Sequence, residues 1–417
     1  MGLFRMFFQI ICVLALVLGC TKEEDKGNTV KTAPPVNLNR INISGVSYYG
    51  IFDPSIARDP FTDTLWMSYS VVDQSHIGEQ TVQLKLASSI DNGVTWIDSG
   101  ETLSSYADFT SGTIDLINDV INEPASWKSE TSSLIYDASA PSNQRWKLIF
   151  WRYMVADKDP ATPQTTLSYF VELGWIAYKT ASSPLGLATA TEQKLMKGFA
   201  YNSAANSIGT PAFSPVSGDA AIDITTDFTS TDPGGHLTQC GGLHEPGALA
   251  ASDALYLSFT CSDFSDSNSR NIVLFRCTNP CDATNPSSWT YIGKIFSDAK
   301  AQSIDSSYLT FDAPNLFEYN SEYYVIVTPV MLVGSGPDSD YNGCEVYKFS
   351  SISSGTLEEV SGVPSKYISY VQPSNIFNGA CTYHQSINDL GLIQSYIELT
   401  GTPTDYFRIH STDQGFW

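Results

Sequence analysis

Four stretches of the chain set a carboxylate beside a proline ahead of an apolar strand: Asp53-Pro54, Glu123-Pro124, Glu245-Pro246 and, with one alanine between, Asp312-Ala313-Pro314. Carboxylates brought together from separate strands repel one another, so some hold protons while others stay ionised. Hydrolysis of a glycosidic bond needs that split, because one carboxyl protonates the leaving oxygen and another activates water. His244, next to Glu245, and His384 in GACTYHQ would line the same place. The competing reading is structural: Asp accepts local backbone hydrogen bonds and Pro cannot continue a ladder, and together they start a strand.

Three of these stretches open copies of one unit, a short apolar strand, a polar turn and an aromatic-rich strand. They are FDPSIARDPFTDTLWMSYS (52–70), HEPGALAASDALYLSFTC (244–261) and DAPNLFEYNSEYYVIVTP (312–329). A weaker copy begins at Glu123 and continues through SSLIYDASAPSNQRWKLIFWRY, and a fifth, without the acid, spans residues 379–399. Further alternating strands follow, such as QTVQLKLASS and NIVLFRCTN. Short strands of β-branched and aromatic residues, punctuated by Gly, Pro, Asn, Asp and Ser, predict an all-β chain. No segment after the N-terminal run keeps a 3.6-residue apolar period. The repeat predicts a five-bladed β-propeller, with six blades as the alternative if residues 200–236 hide strands. The first strand of a blade lies innermost, so the acids would converge on one end of the axis.

Particular residues carry a resemblance. Ser89-x-Asp91-x-Gly93-x-Thr95-Trp96 resembles the Asp-box of sialidases and other propeller proteins, which implies a hairpin turn held by Asp91 and no chemistry there. DPSI at 53–56 and HEPGAL at 244–249 resemble strand openings of the five-bladed glycoside hydrolases of the arabinanase and β-xylosidase type (family 43) and their invertase-like relatives. That resemblance implies Asp53 as general base or nucleophile and Glu245 as general acid, with Asp312 a rival for the acid. The third acid of the family, which tunes the proton donor, falls to Glu123 or Asp137, while Arg58, His244 and His384 would touch substrate. A sialidase is a further alternative and would need three arginines on the substrate carboxylate, drawn from Arg58, Arg152, Arg276 and Arg408. Asp338-x-Asp340-x-Asn342-Gly343 matches the first half of a calcium loop, but Phe349 stands where a bidentate Glu would close it, so a polar turn is expected and no cofactor is required.

The chain begins with Arg5 and the apolar run MFFQIICVLALVLGC, too short to span a bilayer and suited to an export signal over residues 1–19. Its end, Val17-Leu18-Gly19-Cys20, resembles a bacterial lipobox, which implies a lipid on Cys20 and a place at the outer membrane or cell surface. Residues 20–40 read as a flexible tether and 41–417 as the propeller. With 22 Lys and Arg against 44 Asp and Glu, the formal charge is -22, which argues against a nucleic-acid partner. Carbohydrate is the expected partner, the membrane is reached through the lipid only, and a monomer is expected. Cys240, Cys261, Cys277, Cys281, Cys344 and Cys381 form an even set for disulfides, Cys277 with Cys281 first because they bracket a turn. Against the hydrolase stands a non-catalytic lipoprotein that binds glycan or protein through the same cleft.

Overall fold

A computed structural model describes residues 39–45, 50–73, 81–105, 107–108, 125–156, 170–171, 173–198, 220–263, 270–332, 339–369, 378–383, 392–396 and 408–411. All belong to the unit Thr32–Trp417. Among them strands dominate, and the one α-helix, Asp298–Ile304, is a short connector whose Ser297 cap accepts from the Lys300 N–H. No helix of the described residues is long and apolar enough to cross a membrane.

The described strands form five sheets of four or more strands and one small hairpin. The first sheet runs Gly50–Arg58, Leu65–Asp73, Thr81–Ser89, Trp96–Ser104, and the second is built on Ala125–Tyr136, Trp146–Ala156, Leu173–Ala181 and Gln193–Lys197. The third is Cys240–Ala250, Ala254–Asp263, Arg270–Thr278 and Trp289–Phe296. The fourth holds Tyr308–Tyr319, Glu322–Leu332, Glu345–Ser351 and Thr356–Leu357, with Ser339–Tyr341 added beside Glu322–Leu332. The last combines Asn378–Tyr383, Leu392–Tyr396 and Arg408–Ser411 with Asn39–Arg40 from the other end of the chain. The fold therefore takes in two residues that the sequence assigns to the tether. The arrangement is a β-propeller in which four blades are recognised, one fewer than the sequence predicts. Within 200–236, the described strand Ile222–Asp223 extends the second sheet.

Each second strand is coded for two different neighbours. In Leu65–Asp73, Leu65, Met67, Tyr69 and Val71 are buried on one face in a layer shared with Ile409 of the last sheet. The intervening Ser68 and Ser70 are buried on the other face and bond the second sheet: Ser68 Oγ accepts from Ser132 Oγ (2.8 Å) and Ser70 Oγ from the Thr131 N–H (3.1 Å). Buried hydroxyls are tolerated there because each finds a partner. Apolar layers likewise join the first sheet to the second, the second to the third, the third to the fourth and the fourth to the last. Three disulfides add covalent ties, Cys240–Cys261, Cys277–Cys281 and Cys344–Cys381, the last joining the fourth sheet to the last.

The inner strands Gly50–Arg58, Ala125–Tyr136, Cys240–Ala250, Tyr308–Tyr319 and Asn378–Tyr383 share one irregularity. Each breaks register at a bulge, and each bulge holds one residue with positive φ: Asp53 (48°), Thr131 (44°), Glu245 (52°), Ala313 (46°) and Ala380 (50°). The acid-proline pairs thus mark a bulge inside the strand rather than its beginning. Proline fits because the bulge releases its position from the ladder. In the second sheet the bulge is Glu130-Thr131-Ser132, so Glu123 is not its counterpart and lies outside the described residues.

Two residues past each apex the inner strands meet. Ser55 Oγ accepts from the Leu134 N–H (2.9 Å), and Ser133 Oγ donates to the Pro246 carbonyl (2.9 Å) while accepting from the Ala248 N–H (3.0 Å). Gly247 holds the same place in the third strand, where a Cβ would lie 2.4 Å from the Pro314 carbonyl oxygen and 2.9 Å from Asn315 Cα. Backbone on the far side cannot yield as a side chain could, so Gly247→Ala should lower stability by about 1–3 kcal/mol in urea unfolding, with the native fold retained in circular dichroism.

Candidate active site

The bulges carry chemistry at two adjoining positions. Asp53 and Glu245 occupy the positive-φ apex, while Glu130, His244 and Asp312 occupy the residue just before it. Asp53, Glu130 and Glu245 are part-exposed and act on one another electrostatically. Burial, reinforced by the Glu130 and Glu245 carboxylates, raises Asp53 well above the usual carboxylate range against hydroxyl bonds from Thr131 (3.0 Å) and Ser70 (3.4 Å). Burial also lifts Glu130 to about 7, with Glu245 adding to the effect, while a hydrogen bond donated by the Tyr153 hydroxyl (2.7 Å) opposes it. Glu245 Oε2 accepts from the Ala313 N–H (2.7 Å), and Oε1 lies 2.8 Å from the Tyr341 hydroxyl.

Asp312, the rival for the acid, is placed differently from Asp53 and Glu245. It lies one residue ahead of its bulge apex, has no exposed surface, and is ion-paired with Arg270. The Tyr341 hydroxyl lies 2.9 Å from its Oδ2. His244, in the corresponding place, is also buried; its Nε2 lies 2.6 Å from Ser262 Oγ and its ring packs 5.3 Å from Trp151. Burial holds His244 down to about 4, so it is neutral at pH 7. His244, Glu245 and Asp312 offer ligand atoms within 4.8 Å of one another, a spacing that suits a divalent cation. Arg270, however, already supplies positive charge at Asp312 and would repel such an ion.

Other expected residues lie elsewhere. Asp137 follows the outer end of its strand, where it accepts from the Ser139 N–H (2.9 Å) and pairs with Lys147 at 3.5 Å. Arg58 ends the first inner strand and is engaged by Asp63 and by Asn92 Oδ1 (2.7 Å), tying two outer turns together. Arg276 pairs with Asp253 at 2.9 Å in an outer turn, and Arg408 is buried in the last sheet, so Arg58, Arg152, Arg276 and Arg408 do not build a three-arginine clamp. Asp91 is consumed by its own turn, accepting from Ser89 Oγ (2.7 Å), the Thr95 N–H (2.9 Å) and Thr95 Oγ1 (2.6 Å). The Thr95 bonds, side chain first, hold it down to about 2. His384 and Cys20 lie outside the described residues. Ser339–Tyr341, within the calcium-like stretch, is a strand.

Glu130, Tyr153, Arg270 and Tyr341 do not emerge from the sequence reading. Glu130 has a signal nonetheless: counting back from the second strand of each hairpin aligns Ser133-Leu134 with Ser55-Ile56, and Thr131 then falls on Asp53. Tyr341 and Arg270 come from strands outside the repeated hairpin and leave no such trace.

No family model matches the chain, and no curated protein does. Among solved structures it is similar to an endo-arabinase from Bacteroides thetaiotaomicron, at 13% identity over 89% of this chain and 96% of that one, with a TM-score of 0.41. It is also similar to a thermostable family-43 glycoside hydrolase (13% identity, 89% and 91% covered, TM-score 0.47). A third is a family 117 glycoside hydrolase from Zobellia galactanivorans (10% identity, 91% and 90% covered, TM-score 0.46). Likenesses this distant carry no argument about activity.

Glu130 also makes stability depend on pH. Its folded-state value of about 7 lies above the ordinary 4.5, so between those values the folded protein keeps a proton that the unfolded chain loses. Stability should therefore fall as pH rises through that window, by roughly 3 kcal/mol from this group, and level off above it. Glu130→Gln should match the parent protein in urea unfolding near pH 4 and exceed it at pH 8; equal stabilities at both would contradict the proton assignment.

Proposed function

We propose that this chain is a glycoside hydrolase with an axial cleft, in which Glu245 protonates the leaving oxygen and Asp53, in the ionised fraction that its raised proton affinity leaves, activates water or attacks as nucleophile. The observation that carries the reading is the meeting of Asp53, Glu130 and Glu245, from three successive inner strands, in one part-exposed place where Glu130 and Glu245 strengthen the hold of Asp53 on its proton and Glu245 does the same for Glu130. Glu130 stands between the other two in strand order and takes the part of the third acid, in place of Glu123 or Asp137. The hydroxyls of Thr131 and Ser70 aim the Asp53 carboxylate. Backbone strain at both apices, of the kind that persists where surroundings over-determine a site, agrees with a preorganised pair.

The proposal includes five blades, the fifth being the sheet made from both ends of the chain. Support comes from the fifth bulged inner strand and from the apolar layer it shares with the fourth sheet. The proposed substrate is a neutral sugar, because the cleft is lined by carboxylates and Arg58 and Arg276 are committed to outer turns. A lipid at Cys20 would hold the propeller at a bacterial outer membrane or cell surface, with residues between Cys20 and Asn39 as the tether. No cofactor enters the proposed reaction.

Full-length protein assayed with aryl arabinosides, xylosides, fructosides and sialosides should cleave one neutral class and leave sialosides intact. Asp53→Asn and Glu245→Gln should each reduce kcat by roughly 10²- to 10⁴-fold without loss of fold. Glycan binding with no turnover of any substrate would instead identify a non-catalytic binding propeller.

A further inference from the structure

The last inner strand brings no acid to the ring. Its residue before the apex is Gly379, in the position held by Glu130, His244 and Asp312 in the second, third and fourth strands. A Cβ there would lie 2.5 Å from Thr328 Cγ2 and 3.1 Å from Tyr341 Cδ2. The gap left by the missing side chain is filled by Thr328, with the ring of Tyr341 beside it; Tyr341 comes from the strand Ser339–Tyr341 on the flank of the fourth sheet.

Tyr341 Oη lies 2.8 Å from Glu245 Oε1 and 2.9 Å from Asp312 Oδ2. A phenol has one proton, so it cannot donate to both. With both carboxylates ionised, one of these contacts is oxygen against oxygen with no hydrogen between them. With one further proton, both become hydrogen bonds. That proton has two candidate hosts. Asp312 is paired with Arg270 and accepts from the Ala313 N–H at Oδ1 (3.0 Å), so its charged form is the one its surroundings favour. Glu245 Oε2 is taken by the same N–H (2.7 Å), which leaves Oε1 as the place for a proton.

We propose that Tyr341 is a positioning residue that sets the proton donor of this site, its hydroxyl donating to Asp312 and accepting from Glu245 Oε1 until Glu245 gives its proton away. Once Glu245 is ionised the hydroxyl can turn to it, so the same group supports the donor before and after transfer. Tyr341 keeps its own proton throughout, because burial and the Glu245 carboxylate push it well above the usual phenol range. The charged and titratable groups around it are Glu245 and His244 from the third inner strand, Asp312 from the fourth, Arg270 from the third sheet and Asp53 from the first inner strand. The inference rests on the reading of Glu245 as proton donor.

Tyr341→Phe keeps the ring against Gly379 and removes only the hydroxyl. In the full-length protein, the alkaline limb of kcat/KM against pH, for an aryl glycoside the parent cleaves, should move down by about one to two pH units. A readout independent of turnover is difference infrared spectroscopy of the protonated-carboxyl C=O band, identified as the band that Glu245→Gln removes. That band should vanish at lower pH in Tyr341→Phe than in the parent. An unchanged band and an unchanged limb in Tyr341→Phe would overturn the role of Tyr341. A band that moves in a protein that cleaves no glycoside would uphold it while removing the hydrolase reading.

Discussion

The architecture depends on one backbone constraint, the positive-φ bulge shared by five inner strands. A regular strand would point successive side chains to opposite faces and leave its inner edge as an even row of backbone groups. The extra residue turns that edge, so that Asp53 and Glu245 can extend into the cleft while the chain beyond continues in register. Left-handed backbone is costly for residues other than glycine, and here it is held by bonds from the neighbouring sheet. The Thr131 N–H is held by Ser70 Oγ, the Ala313 N–H by Glu245 and the Ala380 N–H by Thr328 Oγ1 (2.9 Å). Strain in one sheet is thus balanced by hydrogen bonds from another, which makes the site a property of the assembled ring.

Electrostatics follows from the same geometry. The site gathers several acids with Arg270 as a part-exposed counter-charge, and the cation is spent on the one of them that has no exposure. The three part-exposed carboxylates are left to compete for protons, which is why burial and mutual repulsion both act on Asp53 and Glu130.

Much of this is legible in the sequence, and the reasons for the misses are physical. The hairpins at 52–70, 244–261 and 312–329 stand out because a proline marks the bulge and alternating residues mark the paired strands. Proline is only one way to free a residue from the ladder; in the second sheet Thr131-Ser132 does it with hydroxyls, and attention falls on Glu123-Pro124 upstream. Treating Asp312-Ala313-Pro314 as equivalent to Asp53-Pro54 hides a one-residue offset, which puts Asp312 in the place of His244 rather than of Asp53 and Glu245. Asp137 and Arg58 belong to the right strands but at the outer ends, a distinction that register settles and composition does not. Tyr341 comes from a strand outside the repeated hairpin, so its place between Glu245 and Asp312 exists only in three dimensions.

The sheet that joins Asn39–Arg40 to Arg408–Ser411 has a consequence for how the chain comes to be folded. Its first and last described strands are nearly the whole sequence apart, so the ring stays open until the final stretch has left the ribosome. Until then the apolar layer around Ile41, Ile43 and Met67 lacks Ile409, and an unpaired edge is exposed on each side of the gap. Such late, long-range closure is slow, because loop entropy is lost before the contacts that reward it can form. A nascent or C-terminally shortened chain would accordingly be open to strand exchange with another copy, with the Cys344–Cys381 bond as the covalent tie that keeps the returning sheet beside its own neighbour.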